Sequence, residues 1–155
     1  MLRGLAGIVL VGIFLIAAVS GCGGGDDDSL TQAEYRKQAN AICSEGNDQK
    51  NKAVGEAYKD PKKAGITGDG KTAQLELLNN VALPPIISMT EELASLGGPS
   101  GEEEKAEALV EALEAEIDEL ETNPETVIDA SANGGEFAKA NKLATELDLK
   151  ACSEI

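Results

Sequence analysis

Histidine and tryptophan are absent from this 155-residue chain, and only two Tyr and two Phe are present. Without His, the usual general base and zinc ligand is missing. Ser–His and Cys–His nucleophile systems are excluded for the same reason. Paired carboxylates can still hydrolyse glycosides, but sugar subsites usually want aromatic platforms, and here the aromatics are scattered. Basic residues are scarce as well: 13 Lys and Arg stand against 28 Asp and Glu, for a net charge of −15. That is the opposite of a nucleic-acid-binding footprint. No stretch alternates convincingly as a strand does, and no fixed repeat is visible. The composition therefore predicts a non-enzymatic protein with no cofactor, no metal site and no nucleic-acid partner.

What is present begins with one charge and a long apolar run. Arg3 is followed by an uncharged stretch from Gly4 to Cys22 that contains LAGIVLVGIFLIAAV. This is the layout of a secretory signal. The junction Val19-Ser20-Gly21-Cys22 resembles a bacterial lipobox, in which the Cys is lipidated after cleavage. Residues 1–21 read as a lipoprotein signal peptide and Cys22 as the diacylglycerol-modified first residue. The competing reading is an uncleaved transmembrane helix, since 19 uncharged residues just span a bilayer. Residues 22–29 add three Gly and three Asp, a flexible and self-repelling tether. The expected location is the outer face of the bacterial cell membrane, reached through the lipid on Cys22.

Residues 30–155 read as one helical domain with a thin core. From Cys22 onward, 25 of 134 residues are Leu, Ile, Val or Phe, against 28 acidic and 12 basic ones. That balance borders on disorder, although 19 Ala favour helix. Thr31 and Glu34 have capping-box spacing, and Leu30 with Tyr35 fits a hydrophobic staple. A helix should follow, with Tyr35, Ala39, Ile42, Gly46, Ala53, Val54 and Ala57 on one face, ending before Pro61.

A second helix is expected from Thr72, with an apolar stripe from Leu75 to Leu96, a kink at Pro84-Pro85 and a stop at Gly97-Gly98-Pro99. Ser100 and Glu103 read as the capping box of a third helix, with Ala106, Val110, Leu113, Ile117 and Leu120 as its seam. Asn123-Pro124 should open a fourth, interrupted at Gly134-Gly135. A last segment carries Phe137, Ala140, Leu143, Ala144 and Leu147 on one side. The expected fold is all-α, an up-and-down, four-helix bundle-like domain.

With Cys22 assigned to lipid, Cys43 and Cys152 remain. A pair outside the cytoplasm reads as a disulfide, and it would staple the first helix to the C-terminus. The alternative, a redox-active pair, lacks both Cys-x-x-Cys spacing and a His to tune a thiolate.

Tyr35-Arg36-Lys37-Gln38-Ala39-Asn40-Ala41-Ile42-Cys43 resembles the F-x-x-x-A-D-A-I-C helix of small extracytoplasmic lipoproteins from high-GC Gram-positive bacteria. Leu83-Pro84-Pro85-Ile86 with Leu93-Ala94-Ser95-Leu96 is similar to their second helix. Ala140 to Ala144, then Leu147-Asp148-Leu149-Lys150-Ala151-Cys152, resembles their tail, A-x-x-(L/Y)-A followed by L-G-L-x-x-C. The sequence departs from that pattern at Asp148, where Gly is preferred, and at Ser153, where Gly usually follows the Cys. The resemblance implies a disulfide-closed helical domain and brings no established activity.

Gly65-Ile66-Thr67-Gly68-Asp69-Gly70-Lys71-Thr72 satisfies the phosphate-binding pattern G-x-x-x-x-G-K-[ST] letter for letter. Its context does not: the preceding Tyr58 to Ala64 stretch is polar and broken by Pro61, where a buried strand is required. Nucleotide binding is accordingly the disfavoured alternative, and a helix-connecting loop the expected one. Residues 102–125 hold 11 acidic residues and one basic one, Lys105. They read as a solvated face that keeps the domain soluble, in part paired with the more basic segment 34–71, or as a surface for a basic partner.

These observations point to a non-catalytic, lipid-anchored interaction or structural module of the cell envelope, whose protein partner they do not name. The alternative is a binding protein that holds a small apolar ligand between its helices, near Leu83, Ile86, Ile87 and Met89, where the kink would open the packing.

Overall fold

A computed structural model describes residues 30–124 and 137–155. The signal segment, Cys22, the tether and most of the expected fourth helix, residues 125–136, lie outside the described residues. The elements are α1 (Gln32–Lys59), α2 (Gly70–Leu77), a π turn (Leu78–Ala82), α3 (Leu83–Leu96), α4 (Glu103–Thr122), α5 (Ala138–Glu146) and a 3₁₀ tail (Lys150–Glu154). No strand occurs among the described residues. A single bridge joins Leu30 to Pro99, and the Ser100 N–H donates to the Leu30 carbonyl at 2.9 Å.

The helices form an up-and-down ring. Packing runs α1 on α3, α3 on α4 and α4 on α5, and the tail returns to α1. The start of α1 meets the end of α3 at the Leu30–Pro99 bridge, so these two run antiparallel. At 28 residues, α1 is about 42 Å long and forms the spine. It begins as its sequence implies. The Thr31 hydroxyl accepts from the Glu34 N–H at 3.3 Å, and the Thr31 N–H donates back to Glu34 Oε2 at 3.1 Å.

Gly46 sets how closely α1 and α3 approach. A Cβ built there lies 2.8 Å from the Met89 Cβ, so only glycine admits this contact. The core gathers Tyr35, Ala39 and Cys43 from α1, Leu83, Ile86, Met89 and Leu93 from α3, and Leu109, Leu113 and Leu120 from α4. Leu83, Ile86 and Met89 are buried in the core, while Ile87 is half-buried and borders an open cleft with Ile117.

Pro84-Pro85 does interrupt the second helix, by a route the sequence did not specify, and two other expectations change. The chain takes one wider turn over Leu78–Ala82 and continues with the prolines in the first turn of α3, where their missing N–H groups are tolerated. That turn also shifts the buried face, so Val81, Leu83 and Thr90 join Ile86, Met89 and Leu93 inside, while α2 buries nothing.

Ser100 does not cap α4. Its N–H is held by Leu30, and the helix starts at Glu103, whose carboxylate reaches back only to the Gly101 N–H at 3.0 Å. The seam of α4 is also wider than predicted. Leu109 and Ala112 are buried beside Ala106, Leu113, Ile117 and Leu120, because α4 packs between α3 and α5.

At nine residues α5 is too short to stand alone, and both of its ends are held from outside. Glu116 on α4 accepts the Lys139 and Ala140 N–H groups at 2.9 and 3.1 Å. Arg36 on α1 donates from Nε to the Leu147 carbonyl at 3.1 Å. An anion at the N-terminus and a cation at the C-terminus both complement the helix dipole.

Candidate functional site

The described part of the chain carries four features that the sequence marked. The first is the cysteine pair. Cys43 and Cys152 form a disulfide with Cα atoms 5.0 Å apart, and both residues are fully buried. Around it α1 presents a face for the tail. Arg36, Asn40, Cys43 and Asn47 recur at four, three and four residues, so they line one side of the helix. Asn40 Oδ1 accepts the Ala151 N–H, and Asn47 Nδ2 donates to the Ala151 carbonyl, both at 2.9 Å. The backbone of one tail residue, Ala151, is thus gripped from both sides beside the disulfide.

α5 leads into this tail through a left-handed residue. Asp148 has φ +59°. The Leu149 N–H reaches the Ala144 carbonyl and the Asp148 N–H the Thr145 carbonyl, which is the Schellman arrangement that usually carries glycine.

The second feature is the phosphate-loop lookalike. It connects α1 to α2, and no strand precedes it. Two of its amides are held by a side chain of α2. Glu76 Oε2 accepts the Thr67 and Gly68 N–H groups at 2.7 and 2.9 Å, and Oε1 accepts the Thr67 hydroxyl at 3.2 Å. The Gly68 amide, followed by the Thr67 amide, holds the Glu76 carboxyl below its ordinary range. A carboxylate from α2 thus ties down the middle of the loop. Asn80 ties the other side of the loop by donating to the Gly65 carbonyl at 3.2 Å.

The third feature is the acidic helix α4, and part of its charge has work inside the domain. Glu116 caps α5. Glu102 pairs with Lys105 at 2.7 Å and meets Arg36 at 3.9 Å, a contact with the more basic segment. Glu104, Glu107, Glu111 and Glu114 remain exposed. Among the described residues no group of three or more His, Cys, Asp and Glu gathers to hold a metal ion. None of the described helices is long and apolar enough to cross a membrane.

The fourth is the bend at Pro84-Pro85. Its core side is packed, as above. Beside it, between the last turns of α1 and the start of α3, lies an open cleft of about 690 Å³. Ala53, Ala57, Ala64, Val81, Pro84 and Pro85 supply its apolar walls, and Glu56, Lys59, Asp60, Lys63 and Asn80 its polar ones.

Sequence reading missed the Asn40–Asn47 clamp and the Glu116 cap. The clamp carries a signal, since both Asn residues share the helical face of Cys43. The cap carries none, because its partners lie 23 and 24 residues away. No family model, curated protein or solved structure matches this chain.

Proposed function

We propose that this protein is a non-catalytic, lipid-anchored module of the bacterial cell envelope, held to the outer face of the cell membrane through Cys22. The observation that carries the reading is the buried Cys43–Cys152 disulfide, because such bonds persist outside the reducing cytoplasm. The lipobox-like Val19-Ser20-Gly21-Cys22 junction and the Gly/Asp tether support the anchor. The tether ends at Leu30, which is fixed to the α3–α4 turn, so the domain is suspended from one end of its ring. The absence of His removes the usual general base, and the Glu76 tie to Thr67 and Gly68 disfavours a phosphate there.

In this reading the domain is an interaction or structural element. The closing disulfide and the doubly held α5 keep a thin core folded among extracellular proteases. Cys22→Ser tests the anchor. The variant should lose incorporation of labelled fatty acid, and it should accumulate as precursor or leave the membrane fraction. Unchanged membrane retention, with residues 1–21 still attached in the wild-type protein, would favour the transmembrane alternative.

A further inference from the structure

We infer that the cleft between the last turns of α1 and the Pro84–Pro85 bend binds a short free peptide with apolar side chains and charged termini. Its volume, about 690 Å³, lies within the roughly 300–1,000 Å³ of small-ligand sites. Small, half-buried side chains keep it open: Ala53 and Ala64 stand where larger residues would fill it, over a floor of buried Ala57.

The bend supplies hydrogen-bond acceptors. The Leu83 N–H goes to the Leu78 carbonyl, and Pro84 and Pro85 have no N–H to give. Among the carbonyls of Asn79, Asn80 and Val81, at least two are thereby left without a helical donor. Asn80 and Val81 both line the cleft. Peptide N–H groups are the natural complement to such carbonyls.

The charges point the same way. Glu56, Lys59, Asp60 and Lys63 rim the cleft, and none of them pairs with another within ion-pair distance. Asp60 Oδ1 takes the Lys63 N–H at 3.2 Å, which leaves its second oxygen available. Two ammonium groups beside two carboxylates suit a zwitterion better than a simple anion or cation, even though the chain as a whole is strongly acidic. A peptide meets all three walls at once. Its ammonium faces Glu56 and Asp60, its carboxylate faces Lys59 and Lys63, and its side chains rest on the Ala and Pro surface.

The position favours a free ligand over a membrane lipid. Ala57 lies 25 residues beyond Gln32, about 38 Å along α1 from the end where the chain leaves for Cys22. This inference goes beyond the anchoring assignment and does not depend on it.

The test uses the full chain in zwitterionic lipid nanodiscs, with Ala and Val methyls labelled for NMR. Titration with alanyl-leucyl-alanine should give saturable shifts centred on Ala53, Ala57, Ala64 and Val81. The N-acetylated, C-amidated peptide should bind at least about tenfold more weakly. The double variant Lys59→Ala/Lys63→Ala should weaken the free peptide by about tenfold with an unchanged melting temperature, since both side chains are exposed. The proposal is overturned by any one of four results: no saturable shift, shifts centred elsewhere, equal binding of the blocked peptide, or tighter binding of dihexanoylphosphatidylethanolamine.

Discussion

Cutting the Cys43–Cys152 bond offers a quantitative test of how the domain is held together. The bond spans 109 residues of sequence, so it restricts almost the whole unfolded domain. In the chain-entropy picture a loop of about 100 residues contributes about 4.7 kcal/mol, and measured losses of native disulfides run from about 2 to 5 kcal/mol. The three tail hydrogen bonds, from Arg36, Asn40 and Asn47, contribute roughly 1 kcal/mol each. They survive the cut, as does burial of Leu147 and Leu149.

Alanine is the cleaner replacement, because both sulfurs are buried and a serine hydroxyl would add a desolvation cost. Cys43→Ala, Cys152→Ala and the double variant should each lose about 3–5 kcal/mol, equal to within about 1 kcal/mol. The three costs coincide because each variant breaks the same bond. Urea unfolding followed by circular dichroism reads these values, and limited proteolysis should show the tail released first. A double variant that costs the sum of the two singles, or an undiminished stability in any of the three, would refute the reasoning.

Asp148→Gly should raise stability by roughly 0.5–1 kcal/mol, read as a higher melting temperature, because the residue sits at φ +59° where glycine is unstrained. Gly46→Ala should cost about 1–3 kcal/mol, since its Cβ would force Met89 and α3 away from α1. A neutral result there would show that the α1–α3 contact is loose. The Glu76 carboxyl is depressed by the Gly68 and Thr67 amides. Its tie to the loop therefore stabilises above the ordinary Glu pKa of 4.5 and is lost as pH falls through the lower folded value. Hydrogen-exchange protection of Thr67 and Gly68, taken relative to intrinsic rates at each pH, should fall across that acidic window in the wild-type protein and be low throughout in Glu76→Gln.

Much of this architecture was legible because its determinants are local. The Thr31–Glu34 box sits within four residues, the stop at Gly97-Gly98-Pro99 is chemical, and the cysteine pair follows from counting. The start of α4 was misread because Ser100 is drawn to Leu30, a contact between segments 70 residues apart in sequence. The kink at Pro84 and Pro85 was legible, but the π turn that precedes it was not, because a single wider turn leaves no periodic trace of its own. Leu109 and Ala112 were left off the α4 seam because a single-sided stripe cannot show that two helices flank it. The cleft lies between the end of α1 and the prolines, segments about 25 residues apart in sequence, whereas the apolar stripe drew attention to Leu83, Ile86 and Met89. Asn40 and Asn47 resembled ordinary solvated positions, since their partner is a backbone peptide at the far end of the chain.

The central claim, a lipid-anchored and disulfide-closed envelope module, is tested most directly by the intact mass of the protein extracted unreduced from the membranes of a bacterial host. The account predicts residues 22–155 carrying a diacylglyceryl group on Cys22, with a mass two hydrogens below the fully reduced form. A species that retains residues 1–21, carries no lipid, or shows two free thiols at Cys43 and Cys152 would contradict it.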